Sequence, residues 1–204
     1  MLAIDHVILV VDDLDRAAAR LLADHGLASV EGGRHEGHGT GNRIVPLGSD
    51  YLELMSVHDS REAAASPLGR WVLDHMAPDP LPAAVCIRTD DAAAQATRLG
   101  LDTEPMSRVR SDGIRLAWDL VGLAEALGPE RLPFFIEWHT SEHPGATPVE
   151  HGGARSGIAW LELGGDAELL ARRLGEHDLP IRTVGGEPGL RRVGLTTDGD
   201  DVIL

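Results

Sequence analysis

Cysteine is almost missing from this chain. Its 204 residues include one, Cys86, which excludes an internal disulfide and a thiolate zinc cage, so any metal must be held by histidine and carboxylate. Basic residues are scarce too: 18 Lys plus Arg against 33 Asp plus Glu give a formal charge of -15, and the pI is near 4.9. That balance repels phosphate backbones and anionic lipid, and no basic run offsets it, so neither nucleic acid nor a membrane surface is an expected partner. Long apolar runs are also lacking. None approaches the roughly 20 residues that span a bilayer, and the opening run Val7 to Val11 has no positive n-region before it, so a soluble, cytoplasmic protein is expected. What is present is 43% hydrophobic residues, enough to bury a sizeable core as one domain or as a tandem of small modules.

The chain contains a repeat. "IDHVILVVDDLDRAAARLLADHGL" reads as a strand, an aspartate cap, a helix with Leu14, Ala17, Ala18, Leu21 and Leu22 at helical spacing, and a stop at Gly26. "LPAAVCIRTDDAAAQATRLGL" repeats it from Leu81, with Asp90 or Asp91 as cap, and "SGIAWLELGGDAELLARRLGEHDL" repeats it from Ser156, with Asp166. The helices start about 76 to 78 residues apart. Short strand-like runs follow each helix, so the units read β-α-β-β-β, the second one strand short. The expected division is a first module over 1–58, a linker with a short helix near Leu68 to His75 over 59–80, a second module over 81–140, a loop over 141–155 and a third unit over 156–204. A short sheet with one helix leaves its other face bare, so units of this α+β kind must pair.

Period two along the strands sorts the chemistry. Ile4, His6, Ile8 and Val10 share a face opposite Val7, Leu9 and Val11, and "YLELM" and "FIEWH" superpose Glu53 on Glu137. A carboxylate on an apolar strand is costly to bury alone. It can face solvent, accept hydrogen bonds from Arg43 or Arg115, or share a metal ion, while a lone strand histidine such as His6 is more often structural than a ligand. Conspicuous motifs fare worse. "HEGH" at His35 to His38 is one residue short of the helical zinc signature and is flanked by glycines that disfavour a helix; "GHGTGN" has no following helix and no P-loop lysine. These glycines are read as a flexible connection at a rim. Cys86, grouped with Ala83, Val85 and Ile87, is expected on a helix-packed face as a buried thiol, and Trp118 is expected to line a pocket.

The repeat, the histidine in "IDHVILVVDDLDRAAARL", the glutamate closing "GGRHEGHGTGNRIVPLGSDYLELM" and "RLPFFIEW" together resemble the vicinal oxygen chelate superfamily, and within it the glyoxalase-like domain proteins. The resemblance implies two βαβββ modules paired into a curved mixed-sheet cup holding one divalent ion (Fe, Mn, Ni, Co or Zn) on inward residues of the first and fourth strands. Carried over by position, the ligands are His6, Glu53 and Glu137, with Glu137 also the candidate catalytic base. Ala83 stands where a fourth ligand is expected. That leaves a three-residue site, a replacement from His35, His38, His139 or His143, or no metal. Substrate contacts are expected from His35, His38, Asn42, Arg43, Trp118 and His139. The implied activity is that of a metal-dependent lyase, isomerase or dioxygenase acting on a small molecule with vicinal oxygens. The alternative is a metal-free sequestering protein of the same fold, of the bleomycin-resistance kind. Unit three is expected to be structural, either covering the cup within one chain or pairing in a homodimer, the latter preferred.

Overall fold

The computed structural model describes residues 1–110, 113–140, 142–153, 155–197 and 202–204. The first unit comprises β1 (Leu2–Val10), α1 (Leu14–His25), β2 (Val30–His35), β3 (Thr40–Pro46) and β4 (Tyr51–Val57). Two helices follow, α2 (Ser60–Ala65) and α3 (Pro67–His75). The second unit has β5 (Leu81–Thr89), α4 (Ala92–Leu99), β6 (Thr103–Arg110), β7 (Arg115–Val121), α5 (Leu123–Leu127) and β8 (Phe134–Trp138). After a single 3-10 turn at Pro144–Ala146 come β9 (Arg155–Gly164), α6 (Ala167–Leu174), β10 (Ile181–Val184), β11 (Gly189–Thr197) and β12 (Val202–Ile203). No helix among the described residues is long and apolar enough to cross a membrane.

The helices begin where aspartates satisfy free backbone amides: Asp13 accepts from Arg16 N, Asp91 from Ala94 N, and Asp166 from Glu168 N and Leu169 N. Gly26 and Gly100 end α1 and α4 in the left-handed region, at φ 66° and 68°. Strand β6 is the strand that the sequence pattern missed. "TEPMSRVR" shows no apolar alternation because most of it lies at the rim, where only part of one face is covered.

The first eight strands close into a barrel in the order β1-β4-β3-β2-β6-β7-β8-β5. Within each unit the first and last strands pair in parallel, and the units meet antiparallel along β1/β5 and β2/β6. The β1/β5 seam carries two irregularities. Asp5 is an extra residue between Ile4 and His6, and Ala83 is an extra residue between Pro82 and Ala84. Asp5 and Ala83 are 78 residues apart, as are the caps Asp13 and Asp91, so one pseudo-two-fold relation governs both. The bulge also breaks the expected face: Ile4 joins the outer core, whereas Ile8 and Val10 point into the barrel.

Two apolar layers result. The outer one packs Val7, Leu9, Leu52, Leu54, Ile87 and Phe135 against α1, α4 and the C-terminal unit, whose sheet, ordered β10-β9-β11-β12, contributes Ile158, Leu161, Val193 and Leu195. The third unit thus covers the barrel within one chain. Each such side chain withdrawn from water contributes about 1.5–3 kcal/mol. The inner layer holds Ile8, Val10, Met55, Leu120, Phe134 and Ile136, joined by Leu68, Trp71 and Val72 of α3 and by Leu123 and Ala126 of α5. The segment between the modules is therefore part of the barrel's filling. Cys86 is also in this inner layer rather than on the helix-packed face, because Val85 and Ile87, its neighbours in a pleated strand, point outward.

Candidate metal centre

Inside the barrel lies a cavity of about 50 Å³ whose polar wall is made by His6, His35, Asn42, Tyr51, Glu53 and Arg108. Its apolar wall includes Trp118, Phe134, Ile136 and Trp138. Glu53 is the focus. Its Oε2 is 3.4 Å from His6 Nε2 and its Oε1 is 3.6 Å from His35 Nε2, while Asn42 Nδ2 donates to Oε1 at 2.5 Å.

The other nitrogen of each imidazole is already engaged. His6 Nδ1 meets Asp5 Oδ1 at 2.7 Å, and His35 Nδ1 meets Thr40 Oγ1 at 2.9 Å. Both rings are thereby oriented with Nε2 towards one carboxylate, the way outer partners fix metal-ligating histidines. Tyr51 adds a stack on His6, with ring centres 4.6 Å apart and planes 19° from parallel. Burial holds His35 down to about 4, so its imidazole is neutral at pH 7 and available as a ligand. The close turn of β2 depends on Gly32 and Gly33: a Cβ on Gly32 would stand 2.0 Å from Asn42 Oδ1, which accepts from Gly33 N.

Asp5 is fully buried and is the hub behind His6. Burial alone would raise its pKa, but hydrogen bonds from His143 and His6, and their charge, hold it well below the usual carboxylate range. Its Oδ2 accepts from Trp138 Nε1 at 3.0 Å and meets His143 Nε2 at 2.9 Å. Asp5, His6 and Cys86 bring ligand atoms within 4.8 Å of one another, a second conceivable metal cluster. The donor chemistry argues against it. Asp5 is spent on three donors, and burial, aided by the Asp5 and Glu53 charges, pushes the Cys86 thiol well above its ordinary range, which disfavours the thiolate in the metal-free protein. Two imidazoles and one carboxylate with open positions is, in contrast, a recurrent divalent-metal set, and His6, His35 and Glu53 supply those donor types.

The model of the glyoxalase-like domain family matches residues 4–177. The chain belongs to that family. It is accordingly a protein of the vicinal oxygen chelate superfamily, as the sequence resemblance implies. Among solved structures, a hypothetical protein from Staphylococcus aureus aligns with 100% of this chain and 84% of its own at 18% identity, with a TM-score of 0.66. A variant of Streptomyces coelicolor methylmalonyl-CoA epimerase in complex with 2-nitronate-propionyl-CoA aligns over 69% of this chain and 97% of its own at 20% identity and TM-score 0.49. The Mycobacterium tuberculosis methylmalonyl-CoA epimerase gives 66%, 85%, 17% and 0.46 for the same quantities. At such identities the likeness concerns the fold. No curated protein matches.

In this glyoxalase-like chain His6 and Glu53 meet, but Glu137 is not with them. Phe134, Ile136 and Trp138 are the β8 residues facing the cavity, so Glu137 lies on the opposite face, where its Oε2 accepts from Ala92 N at 2.8 Å and caps α4. The pseudo-two-fold explains the misplacement. Ile8 pairs with Glu53 and its counterpart Cys86 pairs with Phe134, so Phe134 is the true equivalent of Glu53. By the same interval His6 corresponds to Ala84, and Ala83 corresponds to Asp5. The second imidazole that faces Glu53 is that of His35, named above both as a substrate contact and as a possible replacement ligand.

Asn42 and Trp118 line the cavity; His38, Arg43 and His139 do not. Arg43 reaches outward to Asp15 and Ser29, both at 3.1 Å. His139 pairs with Asp119 at 3.0 Å and is 46% exposed. His143 supports Asp5 instead of facing the cavity. Sequence reasoning passed over Asp5, Tyr51, Arg108 and Trp138. Asp5 left a sign in its adjacency to His6, and Tyr51 in sharing the Glu53 face of "YLELM".

Proposed function

We propose that this chain is a divalent-metal-dependent enzyme of small-molecule metabolism, acting on a substrate that presents oxygens on neighbouring carbons, with His6, His35 and Glu53 as the metal-holding residues. The observation that carries this is the approach of two Nε2 atoms to one buried carboxylate, with both Nδ1 atoms tied back. A divalent ion held there would act as a Lewis acid on neighbouring substrate oxygens. The chain's own residues do the rest. Asp5 keeps His6 oriented, Thr40 does so for His35, and Trp118, Phe134, Ile136 and Trp138 exclude water and bound the substrate as small.

Among the described residues, Glu53 is the one carboxylate lining the cavity. Proton transfer of the kind first assigned to Glu137 would fall to Glu53, whose bond to Asn42 restrains it. One carboxylate in the cavity favours a lyase or dioxygenase type of reaction over isomerisation through two separate bases. One observation supports the second reading, metal-free sequestration: Asn42 Nδ2 already satisfies Glu53 Oε1.

Elemental analysis and titration of the metal-free protein with Mn(II), Fe(II), Ni(II) and Zn(II) separate the two. The enzyme reading expects close to one ion per chain, lost in His6→Ala, His35→Ala and Glu53→Gln. Wild type that takes up none of the four ions would leave the sequestering reading. Homodimerisation remains part of the proposal, tested by light scattering, and a monomer at micromolar concentration removes it.

A further inference from the structure

The cavity has a second charged wall. Arg108 lies on β6 directly across from His35 in the β2/β6 pairing and is 3% exposed. Its guanidinium lines the cavity, yet its NH1 is buried with no hydrogen-bond partner, and among the described residues no carboxylate lies within ion-pair reach of it. A guanidinium does not shed its proton inside a protein, so an uncompensated one is expensive to bury. Glu53, the acid of the same cavity, is engaged by Asn42, His6 and His35. Arg108 also borders an adjoining groove of about 220 Å³, lined too by Val30, Ile44 and Leu116.

Gly33 on β2 packs closely against this part of β6: a Cβ there would stand 2.7 Å from Val109 O and 3.2 Å from Arg108 NH1. The space open to Arg108 is the cavity that it lines. Met106, Leu116 and Trp118, near on β6 and β7, are apolar and offer NH1 no acceptor. A divalent ion at the other wall would, together with Arg108, bring three positive charges against the two carboxylates Glu53 and Asp5, so the deficit across the cavity is of negative charge.

We propose that Arg108 receives an anionic group of the ligand, and that the ligand class is a small carboxylic acid carrying a carbonyl or hydroxyl oxygen on the adjacent carbon. This rests on the vicinal-oxygen reading above and narrows it. The carboxylate accepts from Arg108 NH1, and the neighbouring oxygens face His6, His35 and Glu53. A neutral diol or dicarbonyl compound leaves NH1 unsatisfied and binds weakly.

Pyruvate and its near-isosteric neutral amide, pyruvamide, are the probes, titrated calorimetrically into the wild-type protein with and without Mn(II). Wild type is expected to hold pyruvate at least about tenfold more tightly than pyruvamide, as a charge-assisted hydrogen bond warrants. Arg108→Gln is expected to bring the two within about twofold, and Arg108→Lys to keep part of the preference. Equal affinities in wild type, a preference that survives Arg108→Gln, or no binding of either probe at about 10 mM overturns the proposal. If Arg108→Gln fails to fold by circular dichroism, the wild-type comparison and Arg108→Lys decide. Failure of the metal reading registers separately, as absence of Mn(II) uptake, while the titrations without metal still report on Arg108.

Discussion

The two halves of the barrel share a plan and differ in what they put inside it. Each is a βαβββ unit with a capped helix and a bulged first strand, yet where the first half places Asp5, His6 and Glu53 the second places Ala83, Ala84 and Phe134. Two equivalent ligand sets would bury ionisable groups twice, and each buried charge costs several kcal/mol unless paired. The first half carries both histidines and the carboxylate, while the second supplies most of the apolar wall and one charge, Arg108. A closed, pseudo-symmetric sheet therefore need not hold a symmetric site.

The sharpest way to break this contrast is at the carboxylates. Glu53→Gln or His6→Ala is expected to weaken Mn(II) binding by more than the roughly 10–100-fold of an outer-shell change, whereas Glu137→Gln leaves it intact. Electron paramagnetic resonance titration reads both. Next comes stability. Phe134→Ala should cost about 3–5 kcal/mol in urea unfolding of the metal-free protein, while Glu53→Gln at the equivalent position costs under about 1 kcal/mol. A smaller effect is expected one shell out: Asp5→Asn lowers Mn(II) affinity about 10–100-fold, and Ala83→Asp gives the second half no metal affinity.

The smallest effect concerns the docking of the third unit. Asp50 accepts from Ile158 N at 3.0 Å, and burial raises its pKa from 3.8 to about 6. Because the folded value is the higher one, the stability linked to this group is present below pH 3.8 and is lost as pH rises through 6. Asp50→Asn should thus gain on wild type by about 1–2 kcal/mol between pH 4 and pH 7, read from thermal or urea unfolding at each pH.

Much of the architecture was readable because it is written in local chemistry. Asp13, Asp91 and Asp166 cap, Gly26 and Gly100 stop, and the interval between caps exposes the repeat. Strand β6 escaped because its side chains are largely solvated, so no alternation marks it. Helix α3 was visible as a helix, but nothing local says that Leu68, Trp71 and Val72 fill the barrel. The site was harder. Facing residues can be counted by twos only while a strand is regular, and Asp5 and Ala83 each upset the count, which is how Ile4 was put on the wrong face and Ala83 in place of Ala84. Glu137 was matched to Glu53 by likeness of sequence when parity puts it outside. Arg108 left no signal, since its meaning depends on a strand pairing 73 residues away, with His35.

The bulge at Asp5 sets a reading frame in space. The residues before it on β1 are one step out of count with those after it, and removing it would restore the count. Ile4 would then directly precede His6 in regular alternation, still on the outer face opposite Ile87, with His6 still opposite Cys86, so the strand would close up without turning over and lose only the carboxylate and the bulge. A deletion at this position and the substitution Asp5→Asn are consequently different experiments, one on the grammar of the strand and the other on one of its words.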